Sequence, residues 1–526
     1  MSDASPAQPL APRNAQGIYE IPLDIVGGNK YGRYPKINKS QTYNMMISDD
    51  FLVDYAGFQF IQEVTNNPNL AGRGDHTSTV FNMMYVVVGN IIISYDHNLV
   101  PSIIGSLATT TGEVYIAENN AGQIAFSDLV NIYIYDQTTF VFSIPVIDFT
   151  PGFLSFQNTY FISPAVGTAT WRLSNPNNGL IWPNAPAFVG QLQTKPDTVQ
   201  AVVPMPGRGN MTFVFGSTVA EQWTFTGQAL FPWSRNNSIS LDYGCINPNS
   251  IAYQGNYIIW IGISEEAGPV IMYTTGGDIK EVSTDGIDYL FSTLTAPEDC
   301  SGFLVKLDGH LFYQVTFQKD NLTLALDLGN ETFFTITDEN MNYHPARKIV
   351  YFNNTYYFVS YNDANLYEFG TKFSSYNYEN RKEEIPRTRI CSPIRLPSQR
   401  PMIFKSLGFT IEQGQPNYIE VPFSEYMITE DTGDFMLTEN GLNLMITEGS
   451  DPAVASVSNM TVFLGVSRDG GETFGNNVAL SMNPTGQRKS RFVFQRLGRA
   501  NDFTPRLQFV GFSRYVVGNG TVEAYL

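Results

Sequence analysis

The sequence predicts an all-β protein: a six- or seven-bladed β-propeller-like domain, then a C-terminal β-sandwich carrying an inserted acidic β-meander. Three observations carry this expectation. No long segment shows the i, i+3, i+4 apolar stripe of an amphipathic helix. Aromatic-rich strand pairs joined by polar turns recur over most of the chain. The 526 residues include 37 Phe, 29 Tyr, 44 Gly and 30 Pro, a mixture of strand formers and turn formers.

Taken in order, residues 1–19 open with "MSDASPAQPLAPRNAQG", which is polar, Pro/Ala-rich and reads as a flexible arm without a secretory pattern. Residues 20–75 form an N-terminal segment leading into the propeller. The propeller is expected over 76–375. Its units are "FNMMYVVVGNIIISYD", "GQIAFSDLVNIYIYDQTTFVFSI", "NTYFISPAVGTATWRLS", "NMTFVFGSTVAEQWTFTG", "NYIIWIGISEEAGPVIMYTTGGDIKEVS", "GHLFYQVTFQKDNLTLALDLGNETFFTIT" and "NTYYFVSYNDANLYEF". Seven units at about 43 residues each suit four-stranded blades, whose radial packing hides strand edges. The longest apolar run, "MMYVVVGNIII", is broken by Gly89 and Asn90 and reads as two strands with a turn, too short to span a membrane. A pair of β-sandwiches is the alternative arrangement for the same strands.

Residues 376–403, charged and Pro-rich, read as a linker or crossover. Residues 404–526 read as the sandwich. Within it "MITED", "MLTEN" and "MITEG" repeat every nine residues from 427, so 416–451 is read as an inset meander with eight acidic residues and no Lys or Arg. The last segment, 457–526, holds four or five strands.

Net charge is −18, from 31 Lys+Arg and 49 Asp+Glu, and residues 1–380 carry all of it. A duplex binder that wraps phosphate with a basic surface is disfavoured. An acidic wall past which DNA slides is compatible with this charge. Cys245, Cys300 and Cys391 are far apart and odd in number, so they form no disulfide framework.

Catalytic and metal-binding patterns are sparse. His76, His97, His310 and His344 lack ligand spacing and read as turn or surface histidines. No P-loop, G-x-G-x-x-G or G-x-S-x-G occurs, and no cofactor is expected. "RGD" at Arg73–Asp75 reads as chance. The acids Glu265 and Glu266 could serve a glycosidase, but adjacent acids on a turn are ordinarily solvated. "VSRDGGETFG" is an Asp-box, with Ser467, Asp469, Gly471, Thr473 and Phe474 in its pattern. Such boxes are best known from sialidases. Their chemistry is first that of a turn: Ser467 and Asp469 bond nearby N–H groups, the glycines supply positive φ, and Phe474 packs on the neighbouring hairpin. The F-R-I-P-type motif that supplies the first arginine of a sialidase's triad is missing, and the expected propeller is poor in Arg. No enzymatic activity is expected.

Arg488, Lys489, Arg491, Arg496, Arg499, Arg506 and Arg514 face a single acid, Asp502, between 488 and 514. They read as a candidate assembly interface with acidic surface of the same or a neighbouring chain. Phe492, Phe494, Leu497 and Phe509 are expected to supply its apolar contacts.

Three stretches resemble one family. "MTVFLGVSRDGGETFG" followed by "RFVFQRLGRANDFTPRLQFVG" looks like the end of the packaged-DNA stabilisation, or tail hub (nozzle), proteins of short-tailed bacteriophages, with Phe494 where they carry Trp. "FVFGSTVAEQWTFTG" with "YGCINPNSIAYQGNYIIWIG" looks like their central strand pair. "IPLDIVGGNKYGRYPKINKSQTYNMM" looks like their N-terminal segment without its Tyr-x-Glu-like end. The resemblance covers about 135 residues in the family's order and leaves the "MITED" repeat as an apparent insertion.

The resemblance implies a structural virion protein made in the host bacterial cytoplasm and located in the tail. It implies a self-associated ring, commonly a hexamer, below the portal and adaptor ring. Such a ring extends the channel, retains packaged double-stranded DNA, conducts it at ejection and anchors tail fibres, spikes or a needle, without membrane insertion. The competing readings are a carbohydrate-binding or sialidase-like glycosidase propeller and a receptor-binding tail fibre protein.

Overall fold

The computed structural model describes residues 18–525 apart from 33–39, 66, 68–69, 206, 278, 397, 414–460 and 482–488. The acidic inset at 416–451 therefore lies outside the described residues. Seven four-stranded antiparallel units form the propeller, with blades I to VI at 72–106, 115–143, 155–191, 199–241, 252–281 and 300–335. Blade VII takes three strands from 350–370 and its fourth, outermost strand, Gly57–Glu63, from the N-terminal segment.

Both faces of each central strand pack against a neighbouring blade, so apolar residues run continuously there. Val86, Val87 and Val88 are all fully buried. Val86 and Val88 pack toward blade VII, while Val87 joins the core shared with blade II. The first strand of each blade is its innermost. Closure occurs where Val350–Phe352 meets Gly72–Ser78 and Thr77 Oγ1 donates to the Tyr351 carbonyl at 3.0 Å. A helix, Asp285–Thr293, follows blade V and buries Ile287 and Phe291 against blade VI.

The C-terminal sandwich has two sheets. One contains Met45–Ser48, Phe51–Asp54, Tyr515–Tyr525, Met402–Gln413 and Lys489–Ala500, with Tyr19–Leu23 paired to residues 520–524. The other contains Gln41–Tyr43, Arg387–Ile390, Thr504–Val510, Thr461–Ser467 and Val478–Ser481. This second sheet is continuous with blade VI, because Tyr43 pairs in parallel with Thr335.

Three differences from the sequence reading follow. The segment 20–75 supplies strands to both domains, and the first strand of blade I begins at Gly72 rather than after 75. The stretch 376–403 contains Lys382–Glu384 and the sandwich strand Arg387–Ile390, so it is more than a linker. The sandwich begins its strand set at Tyr19, far before 404. The physical reason is common to all three: strand pairing is non-local, and a short polar-flanked strand does not declare its partner.

A buried charge pair ties the two sheets of the sandwich together near its junction with the propeller. Arg387 Nε lies 2.9 Å from Asp54 Oδ1, and both side chains are almost wholly buried. The Arg387 guanidinium also donates to the carbonyls of Gly511 at 2.8 Å and Ser374 at 2.7 Å. Burial raises the Asp54 pKa, and Arg387 opposes that rise. Arg514 bonds Asp308 on blade VI.

Candidate channel and assembly surface

The propeller axis is occupied by side chains. Tyr115, on the inner strand of blade II, donates its hydroxyl to Asn249 Oδ1 at 2.6 Å. Asn249 precedes the inner strand of blade V, nearly opposite in a ring of seven. It is held there by the Pro248–Ser250 turn, where its N–H donates to Asn247 Oδ1 at 2.9 Å. The Tyr115 ring also meets Phe153, just before blade III, with centroids 5.1 Å apart, and the Lys348 ammonium beside blade VII at 5.1 Å. What remains beside this plug is a cavity of about 300 Å³ reaching Tyr253 and Tyr351.

Charges gather around the same inner strands. Glu113 is buried between Arg347, at 2.5 Å, and Lys348, at 3.3 Å. Enclosure raises Asp75 to about 7. Arg73 is buried and donates to the carbonyls of Gly89, Thr109, Thr111 and Gly112, so the RGD triplet is a blade fastener. No group of three His, Cys, Asp or Glu suited to a metal occurs among the described residues.

The Asp-box is a closed turn. Asp469 accepts from the backbone N–H groups of Glu472 at 3.1 Å and Thr473 at 3.0 Å, and from the Thr473 hydroxyl at 2.5 Å. Ser467 Oγ donates to Asp469 Oδ1 at 2.5 Å and accepts from Gly471 N–H at 2.9 Å. Gly470 and Gly471 have φ of 79° and 93°. The Ser467 and Thr473 hydroxyls hold Asp469 below the ordinary carboxylate range. Phe474 is covered by the Arg506 guanidinium, 4.3 Å from its centroid. Each polar element of the box is thus used by the turn.

The basic segment divides. Arg488 and the side chain of Lys489 lie outside the described residues. Arg506 is taken by Phe474 and by Asn477 Oδ1 at 3.2 Å, and Arg514 by Asp308. Arg491, Arg496 and Arg499 are exposed on Lys489–Ala500, the edge strand of its sheet among the described residues. Phe492, Phe494 and Phe509 are core residues, and Leu497 packs partly against that core, which corrects their reading as interface residues. Strand alternation is the reason: one face takes the arginines and the other the phenylalanines.

At R-L-G-R the edge strand bulges. Phe404 pairs with Gly498 and Ser406 with Gln495, leaving Arg496 and Leu497 opposite Lys405 alone, and Arg496 takes a φ of 61°. The bulge opens a groove of about 560 Å³ on the outer sheet face. Its charged lining is Arg491, Arg496, Lys405, Glu20 and Glu523. Lys405 Nζ sits 3.0 Å from Glu523, and Ser406 Oγ donates to it at 2.8 Å. The Lys405 bond, then the Ser406 bond, lowers the Glu523 pKa. Glu20 and Lys405 were not singled out in the sequence, because nothing local marks them as neighbours of Arg496. Tyr115 and Asn249 were missed for the same reason.

The other motif regions are structural junctions. Glu221 is fully buried and accepts from Gln193 N–H, Thr194 N–H and Trp223 Nε1 at 2.8, 2.6 and 2.9 Å. Gly244 abuts the Ser217–Thr218 backbone so closely that a Cβ would lie 2.4 Å away, and Cys245 N–H donates to Gly216 at 2.9 Å. These contacts clamp blade IV to the connectors on either side of it. In the N-terminal stretch, Thr42 bonds Gly27, Asn29 and Arg389 at the junction of propeller and sandwich.

A family model described as "Bacteriophage P22 Gp10, beta-propeller" matches residues 31–374. A second, "Bacteriophage P22 Gp10, beta-sandwich", matches 428–525 and so extends into the segment read as an insertion. No curated protein matches the chain. Similar solved structures include virginiamycin B lyase from Staphylococcus aureus, with a TM-score of 0.42 and 13% identity over 60% of this chain and 99% of that one. They also include the N-terminal domain of Nup159, with a TM-score of 0.38 and 11% identity over 63% and 99%. An ancestral GH74 enzyme has a TM-score of 0.40 and 11% identity over 63% and 50%.

Proposed function

The chain belongs to the family of bacteriophage P22 Gp10, the tail hub protein of a short-tailed phage, and from that premise we propose that its copies form a ring extending the portal channel. In this reading the ring sits beneath the portal and adaptor, is commonly a hexamer, retains packaged DNA, conducts it at ejection and offers attachment to fibres, spikes or a needle. The protein acts as a structural part without catalysis.

The observation that carries the reading is the closed propeller axis. No duplex fits beside the Tyr115–Asn249 bond in a cavity of about 300 Å³. A conduit built from this chain therefore lies between copies, with the propellers as its staves. A chain of net charge −18 suits that role, because carboxylates repel phosphate and let DNA pass without sticking. The Asp-box supports the non-catalytic part, since Asp469 is ionised and held by its own turn.

The test is electron microscopy of the purified protein mixed with a portal–adaptor complex. A ring on the portal axis with an open central lumen is expected. Single copies that never join the portal, or an elongated trimer with a shaft, would sink the proposal.

A further inference from the structure

We propose that the groove above the R-L-G-R bulge receives the Glu265–Glu266 hairpin tip of a second copy. This rests on the ring reading and adds to it the identity of one contact between neighbours.

The groove side is built for carboxylates approached from outside. Glu523 already has Lys405 and Ser406 as partners. Arg491 and Arg496 stand beside that pair with exposed guanidinium groups, and Arg499 follows on the same edge strand. Guanidinium is a planar fork matched to carboxylate geometry. Gly408, Gly498 and Ser406 keep the groove low, so a turn of backbone can approach, and Ile403 and Tyr525 offer exposed apolar contact beside the charges.

The tip side has the complementary form. Residues 263–269 connect Tyr257–Gly262 to Val270–Thr274 in blade V. Ser264 Oγ accepts from the N–H groups of Glu266 at 3.2 Å and Ala267 at 2.9 Å, which fixes the turn before any partner arrives. Glu265 and Glu266 are both exposed. Lys195 lies 3.7 Å from Glu265 and 3.3 Å from Asp242, so one ammonium is shared by two carboxylates. Tip residues do not line the groove of their own chain.

Charge sets the partner. A phosphate backbone would meet Glu20 and Glu523 inside the groove, whereas a tip with two carboxylates can address the arginines individually. A head-to-tail ring joins two different surfaces of one chain, and this groove and tip are such a pair. The contact acts mainly in specificity and register.

The test uses two full-length variants, Arg491→Glu with Arg496→Glu, and Glu265→Arg with Glu266→Arg, each checked for an unchanged thermal transition. Sedimentation velocity over a concentration series reads self-association. Each variant alone is expected to associate about tenfold or more weakly than the unmodified protein. An equimolar mixture is expected to regain association, because an alternating ring restores opposite charge at every contact. Unmodified protein that associates while both variants match it overturns this contact and leaves the ring reading standing. A mixture no better than its components also overturns it. Unmodified protein that stays monomeric at all concentrations and on the portal overturns the ring and the contact together. A groove variant that associates normally but loses DNA binding assigns the groove to DNA, against the proposal.

Discussion

The Tyr115 hydroxyl and Asn249 Oδ1 are joined across the propeller axis at 2.6 Å, both side chains buried. Tyr115→Phe leaves the Asn249 acceptor buried and unpaired, which costs about 1–3 kcal/mol. Chemical denaturation should show that loss. Phage carrying the change should eject DNA at the normal rate if, as proposed, the duplex runs between copies and not along this axis. Faster or leaking ejection in Tyr115→Phe particles would contradict a conduit between copies.

Removing one partner of the Asp54–Arg387 pair leaves the other charge buried without its counter-ion. Asp54→Ala should therefore destabilise by about 3–5 kcal/mol. The loss should appear as a lowered melting transition of the sandwich, read by calorimetry.

Phe58 belongs to the strand that completes blade VII and packs against Phe358, Tyr367 and Tyr376. Phe58→Ala should cost about 3–5 kcal/mol through the cavity it leaves. Limited proteolysis should then cut first in 350–370 rather than in blades III to V.

His344 is fully buried among Phe58, Phe358, Phe369 and Tyr376, and burial lowers its pKa to about 3. The unfolded histidine titrates near 6.5. Between these values the unfolded chain binds a proton that the folded chain refuses. Stability should thus fall as pH drops below about 6.5, by up to about 1.4 kcal/mol per pH unit from this group. In His344→Asn, whose Oδ1 can accept from Ala346 N–H as Nδ1 does at 3.2 Å, that slope should flatten. An unchanged acid limb would show that other groups control it.

Asp469→Ala opens the Asp-box and should lower the thermal midpoint. Because the folded pKa of Asp469 is depressed, its contribution is present above the usual carboxylate pKa of about 4 and is lost as pH falls below it. The two proteins should converge in strongly acidic buffer. Neither should release sugar from sialylated or neutral glycans.

Much of this fold is legible in the sequence. Seven strand–turn–strand units correspond to seven blades because both blade faces are buried and the turns carry Gly, Asn and Asp. The Asp-box was legible as a turn because all its hydrogen-bond partners lie within six residues. The pairings of Tyr19–Leu23 with residues 520–524 and of Gly57–Glu63 with 365–370 were not, since a strand's pattern names its buried face and not its neighbour. The alternation of Arg and Phe in 488–499 showed a two-faced strand. Which face met protein was misjudged because the hydrophobic one already had a sheet to cover.

The interleaved N-terminal strands have a consequence for biosynthesis. A ribosome emits Tyr19–Leu23 and Gly57–Glu63 first, yet the strand that receives the former is the last of the chain. At about 5–20 residues per second Tyr19–Leu23 waits roughly half a minute to two minutes for its partner, and Gly57–Glu63 about a quarter of a minute to a minute. The propeller can close once residues 365–370 have emerged, whereas the sandwich must wait for Tyr515–Tyr525. A chain cut short before residue 514 lacks both the strand that Tyr19–Leu23 pairs with and the Arg514 tie to Asp308 on blade VI, so its sandwich is left with an open seam.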